Sequence, residues 1–400
     1  MTRYNFDKIT NRKGTNCLKY DFAVERGKPA DVLPLWVADM DFPVSEEITK
    51  SLHAAVEHGI YGYTQPKDAY YNAVMNWMER NHNWKTEREW IVKTPGVVFA
   101  LGAAVKAFTD PGDAILIQNP VYYPFTNIIR DNDRRVVDNT LIYEKTAGQS
   151  GDNGYRIDFE DFERKLEQEH IKLFILCNPH NPVGRVWTAE ELQKLGEICL
   201  RHHVIVVSDE IHNDFVYPGY EHTVFATVDP RFAEFTVTCT APSKTFNLAG
   251  LQISNIFIPN EKLRKAFQTE IDKTGYDEPN ALGIVACEAA YRAGEDWLGQ
   301  FRAFLLKDLN FLRNFLQEKI PQIHLVEPEG TYLVWLDCSE LGITGKELDQ
   351  FIVDKAGLWL DGGSMFGPSG AAFQRVNIAC PRATLQLALD KLKTAIDGLK

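Results

Sequence analysis

Residues 171–210, IKLFILCNPHNPVGRVWTAEELQKLGEICLRHHVIVVSDE, hold a strand, a stiff turn, a helix and a second strand in one run. Ile171–Cys177 is short and mainly apolar, the signature of a buried strand. Two prolines and a glycine then fix the loop NPHNPVG and hold Asn181 stiffly. Thr188 and Glu191 have the spacing of a capping box, and Leu192, Leu195, Ile198 and Cys199 form an apolar helical stripe behind them. Val204–Ser208 is again apolar and β-branched, and it runs into Asp209. Apolar strands alternating with helices predict a mostly parallel sheet covered on both faces. Ligands of such sheets sit at the carboxyl ends of the strands, where Asn181 and Asp209 fall.

The same alternation continues on both sides. Further strands are expected at Trp90–Lys93, Ala114–Gln118, Phe235–Thr240 and Ile253–Ile258, with helical patterns between most of them. The fold class is therefore α/β, with a large domain over residues 46–290. After about Tyr291 the pattern changes to long helices, short strands near His324–Val326, Tyr332–Leu336, Leu358 and Phe373–Ile378, and a helix from Gly345. An amphipathic helix closes the chain, with Pro381 suited to its first turn. Residues 291–400 thus read as a smaller α+β domain. Residues 1–45 show no helix of their own and are expected to pack against it. The Gly-rich, polar stretch 138–156 is expected to be a surface excursion.

Bulk properties exclude several classes. A net charge of -12 without any dense Lys/Arg run argues against nucleic acid and anionic membranes. The 7 cysteines are odd in number and never in C-x-x-C spacing, which predicts reduced thiols and a cytoplasmic location. The opening MTRYNFDKIT has no apolar core of a secretory signal, and no stretch is apolar enough to span a membrane.

Four strand ends carry polar chemistry. In KTPGVVFALGAAVKAF a strand ends, Pro95 and Gly96 turn, and a helix begins at Val97; the free N–H groups of Val97 and Val98 make an anion site. Asn181 offers an amide donor. Asp209, at the end of a central strand, needs a cation or several donors. In APSKTFNLAG, Ser243 offers a hydroxyl and Lys244 a nucleophilic amine. Each stretch alone reads as an ordinary turn, cap or surface lysine. DEIH suggests a helicase box, but no G-x-x-x-x-G-K-[ST] loop precedes it. His202, His203 and His212 do not have H-E-x-x-H spacing, so no metal site is expected. Together, an anion cradle, a rigid donor, a carboxylate and a lysine are what pyridoxal 5′-phosphate (PLP) needs for its phosphate, ring oxygen, ring nitrogen and aldehyde.

The ordered set TPGVV, NPVYYPF, CNPHNPVG, SDEIHND, SKTFNLAG and RVNIACPR resembles fold-type-I PLP enzymes of the aminotransferase class I/II superfamily. More narrowly, LPLWVADMDF, GIYGYT, CNPHNPVGRVW and PEGTYLVWLDC resemble the MalY/PatB branch of cystathionine β-lyase-like C–S lyases, over nearly the whole chain. The resemblance implies that Lys244 joins the cofactor's aldehyde, Asp209 faces the ring nitrogen and Asn181 the ring oxygen. It places Tyr122 on the ring, with Tyr123 as the alternative, and Gly96, Val97, Val98 and Ser243 around the phosphate. Arg375 matches the clamp for the substrate carboxylate, and Trp36, Ala38 and Asn181 border the substrate. Tyr63 matches a residue reaching the phosphate of a neighbouring subunit, which implies a homodimer with shared active sites.

The implied reaction is β-elimination from cystathionine, cystine or cysteine S-conjugates to a thiol, pyruvate and ammonia. A PLP-dependent aminotransferase is the alternative, since the same residues support both. A PLP-binding regulatory protein is a third reading, against which the complete residue set argues. One departure favours the lyase branch: many aminotransferases carry an Arg where this chain has Gln252.

Overall fold

The computed structural model describes residues 4–145 and 153–399. Seven strands form the central sheet: β1 (Ile91–Thr94), β2 (Ala114–Ile117), β3 (Arg135–Asp138), β4 (Ile171–Cys177), β5 (Ile205–Asp209), β6 (Thr236–Thr240) and β7 (Ser254–Phe257). Their spatial order is β1-β7-β6-β5-β4-β2-β3. β7 runs antiparallel to both its neighbours, and every other pairing is parallel. The carboxyl ends of β1, β4, β5 and β6 therefore lie along one edge.

Side-chain alternation explains why the sheet is buried on both faces. Phe174, Leu176 and Val206 enter one core with Phe162, Leu192 and Leu195. Leu173, Ile175 and Val207 enter another, with Val97, Leu101 and Val105 of helix Val97–Phe108. Successive residues of one strand point to opposite faces, so a strand apolar throughout must be covered twice. Helix Ala189–Arg201 follows its sequence signal: Thr188 and Glu191 form the capping box, each accepting from the other's backbone N–H.

The remaining strands sit outside this sheet. His324–Leu325, Leu333–Asp337, Phe373–Asn377 and Asp361–Gly362 form a four-stranded sheet. Leu33–Pro34 pairs in parallel with Leu358–Trp359, tying the N-terminal segment to the C-terminal region. That segment departs from expectation in holding one helical turn, Leu18–Asp21. The Asp21 carboxylate accepts from the N–H groups of Gly14, Thr15 and Cys17, so local hydrogen bonds fix the turn without apolar periodicity. Pro381 is the N-cap of the last helix, Arg382–Asp397, one position before its first turn.

Within 138–156, residues 146–152 lie outside the described residues. On either side of them Ile142–Tyr143 pairs antiparallel with Tyr155–Arg156. The expected surface excursion does not extend to Asn153 and Tyr155, which are buried. The Asn153 amide donates to the carbonyls of Val183 and Glu327 and pins this edge to the NPVG loop.

Candidate active site

The loops at the strand ends enclose a cavity of about 170 Å³. A water occupies about 30 Å³ of liquid, so this is room for a ring and its substituents rather than a lone ion. Ala38, Gly96, Val97, Val98, Tyr122, Asn181, Asp209, Ser243 and Lys244 all line it.

Each is held there by a short stretch of backbone logic. β6 ends at Thr240 and the chain turns through Pro242–Thr245, which delivers Lys244. The Lys244 ammonium donates to the Ala38 carbonyl at 2.7 Å, and the buried Tyr332 hydroxyl donates to the same oxygen at 3.1 Å. Burial pulls the Lys244 pKa down to about 8, helped by Arg375 and opposed by Asp39 and Asp209. The amine is therefore a usable nucleophile and base near neutral pH.

Asp209 ends β5, flanked in register by Cys177 and Cys239. Two sulfurs and a closed sheet give it little solvation, and burial pushes its pKa up to about 7. It accepts one backbone bond, from Ile211 N–H at 3.2 Å, and has no ion-pair partner among the described residues. A buried carboxylate at the wall of a cavity with so little compensation fits a bound cation.

Asn181 hangs from a loop closed by the Gly184 N–H bond to the His180 carbonyl, at 2.7 Å. Gly184 has φ 77, and a Cβ there would also press on Pro328 at 3.1 Å, so the loop's last position demands glycine. The Asn181 N–H donates to Cys177 Sγ, and its side-chain oxygen accepts from Arg375 Nη1 at 2.9 Å. Gly96 precedes the N-terminus of helix Val97–Phe108, and a Cβ at Gly96 would meet no atom within 4 Å; Gly96, Val97 and Val98 face the open space of the cavity. That space, a helix N-terminus and the Ser243 hydroxyl together fit a phosphate.

Three candidates stand apart from the cavity wall. Arg375 is buried behind it, donating to Asn181, to the Trp36 carbonyl at 2.9 Å and to Asp361. Its Nε has no partner among the described residues. Trp36 does not line the cavity; its ring stacks on Trp359 with centroids 4.3 Å apart. Tyr63 is 95% exposed, beside a separate surface hollow lined by Gly62, Thr64, Pro279 and Asn280. It takes no part in this chain's own cavity.

The cavity also contains residues the motifs did not single out for it. Cys177, Ile211 and His212 line it. His212 is buried, its Nδ1 has no partner among the described residues, and burial together with Lys244 and Arg375 lowers its pKa well below the ordinary value. Its position just after Asp209 was the available signal; sequence reasoning weighed it only as a metal ligand. Among the described residues no cluster of His, Cys, Asp and Glu could hold a metal.

Residues 30–392 match the family model for aminotransferase class I and II. The chain belongs to this family. It is 45% identical over 392 residues to cystathionine beta-lyase PatB of Bacillus subtilis (strain 168), covering 98% of this chain and 100% of that one. It is 30% identical over 399 residues to the protein MalY of Escherichia coli (strain K12), covering 99% and 100%. Cystalysin from Treponema denticola, a crystal structure containing pyridoxal 5′-phosphate, superposes with a TM-score of 0.94 at 38% identity, over 99% of this chain and 100% of that one. The MalY/PatB branch expected from the motifs is thus matched over the full length at 30% identity or more.

Proposed function

We propose that this protein is a PLP-dependent carbon–sulfur β-lyase that converts cystathionine, cystine or cysteine S-conjugates to a thiol, pyruvate and ammonia. The observation that carries the reading is the convergence on one cavity of Lys244, Asp209, Asn181, Ser243 and the N-terminus of helix Val97–Phe108. The full-length relatives, a cystathionine beta-lyase and cystalysin among them, support the same chemistry.

The N–H groups that open helix Val97–Phe108, with the Ser243 hydroxyl, would hold the cofactor's phosphate. Asn181 would meet its ring oxygen, Asp209 its ring nitrogen, and Tyr122 its face. When bound, PLP supplies an aldehyde that condenses with amines and a ring that accepts the electron pair left at a substrate's Cα. The chain's own residues do the rest. Arg375, whose Nε has no partner among the described residues, would fix the substrate carboxylate. Ala38 borders the substrate, and the Trp36 carbonyl holds Arg375 behind it. Asp209 holds a proton at the ring nitrogen by its charge. Lys244, as the neutral amine, takes the proton from Cα. The Cβ–S bond then breaks, the electron pair leaves with sulfur as a thiolate, and the remaining three carbons take up water to give pyruvate and ammonia.

Several finer features belong to the same proposal. The chain acts as a homodimer with shared sites: Ile60, Tyr61 and Tyr63 form an exposed apolar run beside the hollow at 278–282, which suits a second copy and would send Tyr63 to its phosphate. The location is cytoplasmic, in keeping with 7 free cysteines. No helix among the described residues is long and apolar enough to cross a membrane. Residues 46–290 form the large domain, and 1–45 with 291–400 the small one, in line with the pairing of Leu33–Pro34 and Leu358–Trp359.

The test is a visible spectrum of the purified protein, then cystathionine with pyruvate detection beside 2-oxoglutarate-dependent amino transfer. The expected result is a coloured protein, fixed by borohydride, whose pyruvate release exceeds amino transfer. Amino transfer in excess would make it an aminotransferase, and a protein that takes up no PLP would end the proposal.

A further inference from the structure

A second guanidinium with no carboxylate of its own lies over Trp36, two residues before the cavity residue Ala38. Arg26 is exposed on a turn closed by backbone bonds from Gly27 to Val24 and from Lys28 to Ala23. Ala23 is buried with Val32 and Trp359, so the turn is anchored. The Arg26 guanidinium lies over the Trp36 ring, 5.2 Å from its centroid. Trp36 in turn stacks on Trp359, and its carbonyl accepts from Arg375. One tryptophan residue therefore links the two guanidinium groups.

Tyr123 is half-buried against Phe366, whose ring also lies under Arg375 at 4.9 Å. Tyr123 packs beside the cavity residue Tyr122, with ring centroids 5.6 Å apart, and besides its burial it feels the charges of Asp361, Arg375 and Arg26. The contrast among the arginines is informative. Arg12 is paired with Asp39 and Asp41, and Arg375 with Asp361. Among the described residues Arg26 has no ion pair and no side-chain hydrogen bond, and the Tyr123 hydroxyl has no partner either. A cation pre-oriented on an indole beside a free phenol is a receptor for a carboxylate.

Resting on the lyase reading, in which Arg375 takes the α-carboxylate, we infer that Arg26 is a specificity-determining residue that receives a second carboxylate at the far end of the thioether. The preferred substrates are then cysteine thioethers whose leaving thiol carries a carboxylate, ahead of neutral S-alkyl cysteines. Arg26 lies in solvent, so its attraction is screened by salt, and it acts on substrate choice rather than on bond breaking.

The experiment uses two amino acids with nothing to eliminate, and binding is read from the initial spectral change, before any amine passes to the cofactor. 2-Aminopimelate carries a distal carboxylate and 2-aminoheptanoate does not. Their dissociation constants are measured on the PLP-loaded protein from the change in its visible spectrum. The wild type is expected to prefer 2-aminopimelate. Arg26→Met should reduce that preference about threefold to fivefold, the scale of one exposed charge pair. Arg26→Lys should keep part of it. A wild type without preference, or an Arg26→Met variant within twofold of the wild-type ratio, overturns the inference. Pyruvate release from cystathionine is measured separately and decides the lyase reading alone.

Discussion

Asp209 and Asp214 lie on one short segment, and both are buried. Asp214 has every need met: its carboxylate accepts from Trp77 Nε1 at 3.2 Å, from His82 Nε2 at 3.1 Å and from the Thr245 hydroxyl at 2.6 Å. His82 is the donor there, because a carboxylate can only accept. Burial would raise the Asp214 pKa, but His82, the nearby Arg302 and the Thr245 bond outweigh it and hold the pKa below its ordinary value. Asp209 accepts a single backbone bond, and burial wins. The same side chain is thus an internal brace at one position and an unmet demand for positive charge at the other. Both bear on Lys244: Asp209 from across the cavity, and Asp214 through Thr245, the next residue along the turn.

The largest effect should come from the amine that faces the unmet carboxylate. Lys244→Ala removes both the nucleophile and the base, and turnover is expected to fall about 10⁴-fold, with no borohydride-fixed cofactor. Pyruvate release near the wild-type rate would remove Lys244 from the chemistry. Next is Asp209→Asn, which keeps the shape and deletes the charge. The expected loss in kcat is about 10²–10³-fold, as for removal of one preorganised electrostatic partner.

Asp209→Asn also has a signature without substrate. In the cofactor-free protein Asp209 keeps its proton up to about pH 7, whereas the unfolded chain gives it up near 3.8. Across that window the folded state binds more protons, so its stability falls as pH rises. Asp214, with a lowered pKa, acts in the opposite sense: it adds stability above its unfolded value and loses it as pH falls through the folded one. Denaturation midpoints between pH 5 and pH 7 should therefore decline less steeply in Asp209→Asn than in the wild type. Identical slopes would mean that the Asp209 carboxylate is not starved in the empty site.

How far this arrangement could be read beforehand depended on the physics behind each signal. β4 was placed to the residue, because a strand buried on both faces is apolar without a break. β3 was missed: Arg135–Asp138 is an edge strand, charged at both ends and only partly buried, so its apolar signal is two valines. Asn181, Asp209, Ser243 and Lys244 could be gathered into one site because a parallel sheet brings its carboxyl ends to one edge. Tyr332 and Asp361 could not. Tyr332 reaches Ala38 across 294 positions of sequence, and Asp361 meets Arg375 only because their short strands pair. Such contacts belong to the small sheet and the N-terminal segment, whose packing leaves no periodic trace.

The braced carboxylate yields the smallest effects, and they should appear in stability first. Asp214→Asn keeps the volume but removes the charge that Trp77, His82 and Thr245 all address, and is expected to cost about 3 kcal/mol in unfolding free energy. Thr245→Val removes one of the three bonds and leaves the other two donors in place, so about 1.5 kcal/mol is expected. Both are read from urea midpoints of the PLP-loaded protein, with the visible spectrum as a second readout. Thr245→Ser keeps the hydroxyl and should recover most of the Thr245→Val loss. If Asp214→Asn cost no more than Thr245→Val, the brace would be a single bond to Thr245, and the contrast with Asp209 would reduce to the number of donors rather than to the charge they stabilise.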